Sequence, residues 1–204
     1  MAGELVVGFD LDMTLIDPRP GMVAAFDVLN AEFDAELDGA HFAAHLGPPL
    51  ADVLRGYELD EPLVRKLVDR FREIYPEVVI GSTAPTAGAA SALAAVRAAG
   101  GRTLVVTGKY EPNAALHLQA CGWTVDRLAG DVFAAGKGVV LREEGAGIYV
   151  GDHYGDIAAA KAADALAVAV ATGPYDADEL AAAGADVVLP DLTAFPDWLA
   201  GHRA

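Results

Sequence analysis

Cysteine, basic residues and long apolar runs are all scarce in this chain, and each scarcity removes a class of explanation. Cys121 is the single cysteine in 204 residues, so an intramolecular disulfide and a cysteine-built metal cluster are both excluded. Lys and Arg number 14 against 30 Asp and Glu, a formal net charge of −16. A surface so acidic repels phosphate backbones and anionic lipid, which argues against nucleic acid or membrane as the main partner. An anionic ligand must then be drawn in locally, by a few cations, backbone amides or a metal ion. The longest apolar run, in "DALAVAVATG", is strand-sized and too short to span a bilayer. No basic start precedes an apolar run, since acidic residues begin at Glu4, and the expectation is a soluble cytoplasmic protein.

What the chain does have is apolar residues, 53% of the total, ample for a packed core. They fall into strand-like runs at "ELVVGF", "GRTLVVT", "GIYV", "ALAVAVA" and "ADVVLP", with a shorter one near "DRLAG". Alanine-rich helical segments lie between most of them. Strand and helix in alternation predict an α/β fold, a parallel sheet with helices on both faces. From about Pro20 to Ile80 the alternation stops and the pattern is helical throughout. "DPRP" and "GSTAPTAG", rich in turn formers, flank this block as linkers. The reading is a sheet domain of residues 1–19 plus 85–204, with residues 20–84 inserted as a helical subdomain.

Ligands of open parallel sheets bind beyond the carboxyl ends of the strands, so each strand is most informative at that end. The first strand runs into "DLDMT", with Asp10 and Asp12 two residues apart and able to project to one side. Two carboxylates so close resist ionising together, which calls for a cation, a shared proton or chemistry that uses both. The second strand ends in Thr107, Gly108 and Lys109, the short third is followed by "AAGKG" with Lys137, and the fourth by "GDHYGD" with Asp152 and Asp156.

In this order "DLDMT", "VVTG", Lys137 and "GDHYGD" resemble the four motifs of the haloacid dehalogenase superfamily of phosphohydrolases. The resemblance extends over nearly the whole chain, because the helical insert falls where phosphoglycolate phosphatase-like members carry a helical cap. It implies a Rossmann-like core and Mg²⁺-dependent hydrolysis of a small phosphorylated metabolite. Two departures stand out. Met13 occupies a position usually held by Gly, where a side chain is expected to narrow the pocket or touch substrate. Lys137 is followed by Gly138 in place of the common Pro, which leaves Lys109 as its rival.

By the same resemblance, Asp10 is the nucleophile that forms an aspartyl phosphate and Asp12 the general acid and base. Mg²⁺ falls to the Asp10 carboxylate, the backbone carbonyl of Asp12 and the Asp152 carboxylate, with Asp156 orienting that shell. Thr107 and the Gly108 amide hold phosphate oxygens, and Lys137 balances the charge. Arg19 in the first linker and Arg55 in the cap are candidate readers of a substrate carboxylate or phosphate. A sugar-phosphate phosphomutase is the alternative enzyme and a non-catalytic binding protein the alternative outside enzymology. A dehalogenase is disfavoured, because that chemistry dispenses with the second aspartate. The partner is a small phosphoester, and the chain is read as a monomer or homodimer.

Three further features are set aside. "GDVFAAGKG" has five residues between its glycines and Gly138 where a P-loop needs Ser or Thr. His41 and His45, one helical turn apart in "HFAAH", lack the Glu and third ligand of a zinc site. His153, next to Asp152, is a possible pocket residue whose spacing alone decides nothing.

Overall fold

The computed structural model describes residues 4–202. Its strands are β1 (Val6–Phe9), β2 (Ile16–Asp17), β3 (Ala84–Pro85), β4 (Arg102–Val106), β5 (Arg127–Ala129), β6 (Ile148–Gly151), β7 (Leu166–Val170) and β8 (Val187–Leu189). Six of them form one sheet in the order β5-β4-β1-β6-β7-β8, every pair parallel. Strand β1 is central: Val7 is in register with Thr103 of β4 on one side and Ile148 of β6 on the other. The chain builds outward from β1 through β4 to β5, then returns to β6 and builds the other way. The switch in direction opens a crevice beyond the carboxyl ends of β1, β4 and β6, where loops diverge.

Period-two alternation sorts the strand residues onto two faces. Val7, Phe9, Val105, Val150 and Val168 point into one apolar cluster. Val6, Leu104, Val106, Tyr149 and Ala167 point into another. The helical segments are α1 (Arg19–Phe33), α2 (Gly39–Ala44), α3 (Leu50–Arg55), α4 (Glu61–Val78), α5 (Ala89–Ala98), α6 (Glu111–Ala120), α7 (Ala135–Glu143), α8 (Tyr154–Ala162), α9 (Ala177–Ala182) and α10 (Phe195–His202). Residues of α5, α6 and α10 cover the first face and residues of α7, α8 and α9 the second. This is the α/β sandwich expected from the alternation. Each strand side chain so enclosed contributes about 1.5–3 kcal/mol by leaving water.

Helices α1 to α4 make a third cluster of their own. Phe26 of α1 stacks on Phe42 of α2 at 4.5 Å between ring centroids, and Phe71 of α4 meets Phe26 edge-on. On α4 the buried residues Val64, Leu67, Phe71, Ile74 and Tyr75 follow helical spacing, and the Asp60 carboxylate caps the start by accepting from the Leu63 N–H.

Two details differ from the linkers read in the sequence. Helix α1 already begins at Arg19, because a proline in the first turn costs no hydrogen bond and presets the helical φ. The chain segments on either side of the helical block pair as an antiparallel ribbon, Ile16 opposite Pro85 and Asp17 opposite Ala84. Two residues per strand are too few for a periodic signal. The Thr86 hydroxyl ties this ribbon down by donating to the Thr14 carbonyl at 2.6 Å.

Candidate active site

The carboxyl ends of β1, β4 and β6 face α1 to α4 across a cleft of about 430 Å³. Asp10, Asp12, Thr107, Lys109, Lys137 and Asp152 line its floor. Met22, Phe42, Leu50, Val68 and Phe71 line the opposite side.

Asp10 leaves β1 with its N–H bonded to the Val150 carbonyl, so the strand continues for one residue beyond its apolar run. Leu11 then turns fully into the core, and Asp12 projects to the same side as Asp10. The two carboxylates keep 13% and 19% exposure, all that the cleft requires. Burial pushes the Asp10 carboxyl up to about 6; Lys137 pulls it down, and Asp156 and Asp12 push it further up. Met13 follows with φ +58°, a left-handed conformation that glycine adopts freely and other residues adopt at a cost of about 1–2 kcal/mol. Its carbonyl accepts from the Thr172 hydroxyl. The Met13 side chain is not among the residues that line the main cleft. It lines a smaller neighbouring pocket, beside Arg19.

The two rival lysines take one aspartate each. Lys137, from the first turn of α7, places Nζ 3.1 Å from Asp10 and 2.8 Å from Asp156. Lys109, after β4, places Nζ 3.0 Å from Asp12 and donates to the Tyr75 hydroxyl at 2.6 Å. Burial works against both charges, but the carboxylates outweigh it and both ammonium groups are held firmly protonated.

Asp152 directly follows β6, with one oxygen accepting from the Thr14 hydroxyl at 2.8 Å. A β-carbon at Gly173 would overlap its other oxygen, so this loop position has room for nothing larger than glycine. Burial, then Asp156 and Asp10, raise the Asp152 carboxyl well above the usual carboxylate range. Asp156 is committed on both sides: Lys137 holds one oxygen and the His153 N–H donates to the other in the capping box of α8. Asp10, Asp152 and Asp156 each offer an oxygen within 4.8 Å of the others. The Asp12 carboxylate is not part of that group.

Thr107 is buried, and its hydroxyl accepts from the Lys109 N–H at 3.2 Å, which leaves its own proton to donate. Gly108 passes directly under Phe133, where a β-carbon would overlap the ring. The peptide at Gly108 can thus approach a ligand that any side chain would keep away.

The two arginines chosen from the sequence do not reach this cleft. Arg55 is exposed and held by Asp52 and Glu61, each at 2.6 Å. Arg19 pairs with Asp17 at 2.6 Å and lines only the smaller pocket. His41 and His45 stack on each other at the surface and belong to no metal-ligating group among the described residues. His153 does line the cleft, with Nδ1 accepting from the Gly155 N–H as the cap of α8.

Sequence reasoning missed a buried chain of contacts from roof to floor. Tyr75 of α4 accepts from Lys109 and sits 2.8 Å from His117 Nε2 of α6. Burial, with Lys109 nearby, lowers His117 to about 3, so the imidazole is neutral and the Tyr75 hydroxyl donates to it. Asn113 and Phe133, also lining residues, were missed as well. A helical His or Tyr on an apolar face gives no signal that separates it from ordinary core.

A model of the haloacid dehalogenase-like hydrolases matches residues 7–166. A phosphoglycolate phosphatase from Rhodospirillum rubrum is 31% identical, over 94% of this chain and 89% of that protein. Among solved structures, a haloacid dehalogenase-like family hydrolase from Streptococcus pneumoniae superposes with a TM-score of 0.80 at 18% identity, covering 100% of both chains. A hydrolase from Pseudomonas syringae gives 0.78 at 21% identity, over 97% of this chain and 99% of that one. The chain belongs to the haloacid dehalogenase-like hydrolases, among the phosphatases that resemble phosphoglycolate phosphatase.

Proposed function

We propose that the cleft hydrolyses the phosphomonoester of a small metabolite through an aspartyl phosphate on Asp10, with Mg²⁺ as cofactor. The observation that carries this reading is the division of the floor: two carboxylates on one side of the chain, each with its own buried lysine. With all four ionised, as a bound cation would hold them, the carboxylates of Asp10, Asp12, Asp152 and Asp156 face two ammonium groups (Lys109, Lys137), an excess of two negative charges. Asp12 Oδ1 is buried without a hydrogen-bond partner among the described residues, and Asp10 Oδ1 has only the Lys137 ammonium beside it, at 3.1 Å. Hard oxygen donors with two charges uncompensated fit a divalent cation such as Mg²⁺. Asp10, the Asp12 carbonyl and Asp152 would hold it, with Asp156 fixing Lys137 alongside. Bound there, Mg²⁺ supplies positive charge that keeps the carboxylates ionised and offsets charge on the phosphoryl oxygens.

The Asp10 carboxylate attacks phosphorus, and the bond to the leaving oxygen breaks as Asp12 gives that oxygen a proton. Asp12, acid in the first step, takes a proton from the water that then cleaves the aspartyl phosphate. Lys109 fixes the orientation of Asp12 through its other oxygen. The Thr107 hydroxyl and the Gly108 amide hold the phosphoryl oxygens, and Lys137 sits beside the reacting carboxylate. Residues 20–84 act as a cap over the core of residues 1–19 plus 85–204, excluding water from the cleft.

Phosphate release from a panel of phosphomonoesters, with Mg²⁺ and with chelator, tests the reading beside Asp10→Asn. Metal-dependent release that falls at least about 10³-fold in the variant, with its circular dichroism unchanged, is the expected result. Release that persists in Asp10→Asn would refute Asp10 as nucleophile.

A further inference from the structure

On the reading that Asp10 attacks phosphorus, whatever is esterified to the phosphate lies between the floor and α1 to α4. That space is chemically lopsided. The cleft, at about 430 Å³, falls in the range that holds organic ligands of some size. Its roof presents Met22, Phe42, Leu50, Val68 and Phe71, with Tyr75 and, at the exposed rim, Arg72 as the polar side chains that α4 adds to the lining. A carboxylate on a short leaving group would need a cation here. Lys109 and Lys137 are engaged by Asp12 and by Asp10 with Asp156, and Arg19 and Arg55 lie elsewhere. Arg72 stands at the exposed rim, its guanidinium stacked 4.2 Å over the Tyr110 ring.

Of the neutral polar side chains that line the cleft, Tyr75, Thr107 and Asn113 are buried, and the first two are already hydrogen-bonded within the protein. Asn113, in the first turn of α6, is 4% exposed and lines the cleft, and its side chain makes no hydrogen bond among the described residues. Its amide atoms open onto the cleft and are not sealed in the core, so a ligand there can take over the hydrogen bonds that water otherwise makes. An amide can both donate and accept, but it does not neutralise a charge.

We propose that the substrate is a phosphomonoester of an alcohol with an uncharged apolar body, aliphatic or aromatic, bearing one neutral hydrogen-bonding group for Asn113. A short carboxylated alcohol such as glycolate fits the roof poorly, because it leaves the apolar surfaces uncovered and finds a cation without an ion pair only at the exposed rim, in Arg72.

The test compares kcat/KM among monoesters of primary alcohols, so that leaving-group reactivity stays similar. The substrates are 2-phosphoglycolate, ethyl phosphate, 2-phenylethyl phosphate and its 4-hydroxyphenyl analogue. Both aryl-bearing esters are expected to exceed 2-phosphoglycolate and ethyl phosphate by about tenfold or more. Asn113→Leu is expected to lower kcat/KM for the hydroxylated analogue more than for 2-phenylethyl phosphate, and equal losses for the two would remove Asn113 from the proposal. Val68→Arg, which sets a cation in the roof at a half-buried position, is expected to shift preference toward 2-phosphoglycolate. If 2-phosphoglycolate is the best substrate of the unaltered enzyme, the proposal is overturned while the phosphatase reading stands. The same holds if Arg72→Ala raises KM for 2-phosphoglycolate alone, since Arg72 would then be its carboxylate receptor. If no ester is hydrolysed, the reading of the floor fails and the proposal falls with it.

Discussion

Six charged side chains meet on the floor of the cleft, from Asp10 and Asp12 to Lys109, Lys137, Asp152 and Asp156, while the facing surface is built of Met22, Phe42, Val68 and Phe71. The floor hangs from parallel strand ends, where loops diverge and backbone groups are free to hold polar side chains. The roof is carried by amphipathic helices, whose apolar stripes serve at once as their own core and as cleft lining. Phe42 and Phe71 belong to both. On the function proposed above, reaction type is set by one part of the chain and substrate shape by another. A cap can exchange its lining residues without disturbing the charges beneath it.

The sharpest way to break that contrast is to remove a floor charge. Lys137→Met keeps length and apolar stem but leaves Asp10 and Asp156 without their cation. Turnover is expected to fall about 10²–10³-fold, as when a single preorganised charge is removed from a transition state. Stability in chelator is expected to fall by about 3 kcal/mol, because a buried ion pair is broken from one side. Turnover at saturating substrate and urea unfolding with chelator measure the two effects separately. A loss of less than tenfold in turnover would mean the floor does not depend on this lysine.

A smaller effect probes the place where roof and floor touch. Tyr75 from the roof bridges Lys109 and His117, and this arrangement requires His117 neutral. Burial, aided by Lys109, holds the imidazole at about 3, against about 6.5 in the unfolded chain. The unfolded state therefore binds an extra proton between these values. Its contribution to stability is full above about pH 6.5 and is lost as pH falls toward 3, at up to about 1.4 kcal/mol per pH unit. His117→Asn keeps a hydrogen-bond acceptor but cannot titrate. Urea unfolding at pH 7, 6 and 5 is expected to show a stability loss in the parent that is shallower in the variant by that amount. Equal slopes would mean that His117 takes up its proton within the folded protein.

The same contrast explains what could be read in advance. Asp10, Asp12, Thr107 and Asp152 sit where an apolar run stops, so period and polarity mark them together, and the floor was legible before any coordinate. Lys137 was legible only through its neighbours, and whether it or Lys109 served Asp10 needed geometry: 3.1 Å for the one, while the other lies against Asp12. The roof residues repeat at helical spacing and look like core, which most of them also are. Tyr75, His117 and Asn113 are single polar positions on such faces, and the partners of the first two lie 34 or more residues away. The β2–β3 ribbon escaped for a different reason, being two residues long on each side.

Arginine in the cap shows the limit of choosing residues by type. Arg55 is a cation on the helical block, and charge alone recommends it as a reader of anionic substrate. Local spacing decides otherwise: Asp52 lies one turn before it and Glu61 opens the next helix, and both carboxylates reach the guanidinium at 2.6 Å on an exposed face. Pairs so exposed are screened by solvent and contribute little. Arg55→Ala is expected to change kcat/KM for every phosphomonoester by less than about twofold and to leave the melting temperature almost unchanged. Measured beside Lys137→Met, it asks whether position in the cleft, and not sign of charge, determines the effect. A large rise in KM for Arg55→Ala would mean that the cap rotates on closing and breaks these two ion pairs to bring Arg55 onto the substrate. The kinetics would then show an ionic-strength dependence that the open arrangement does not predict.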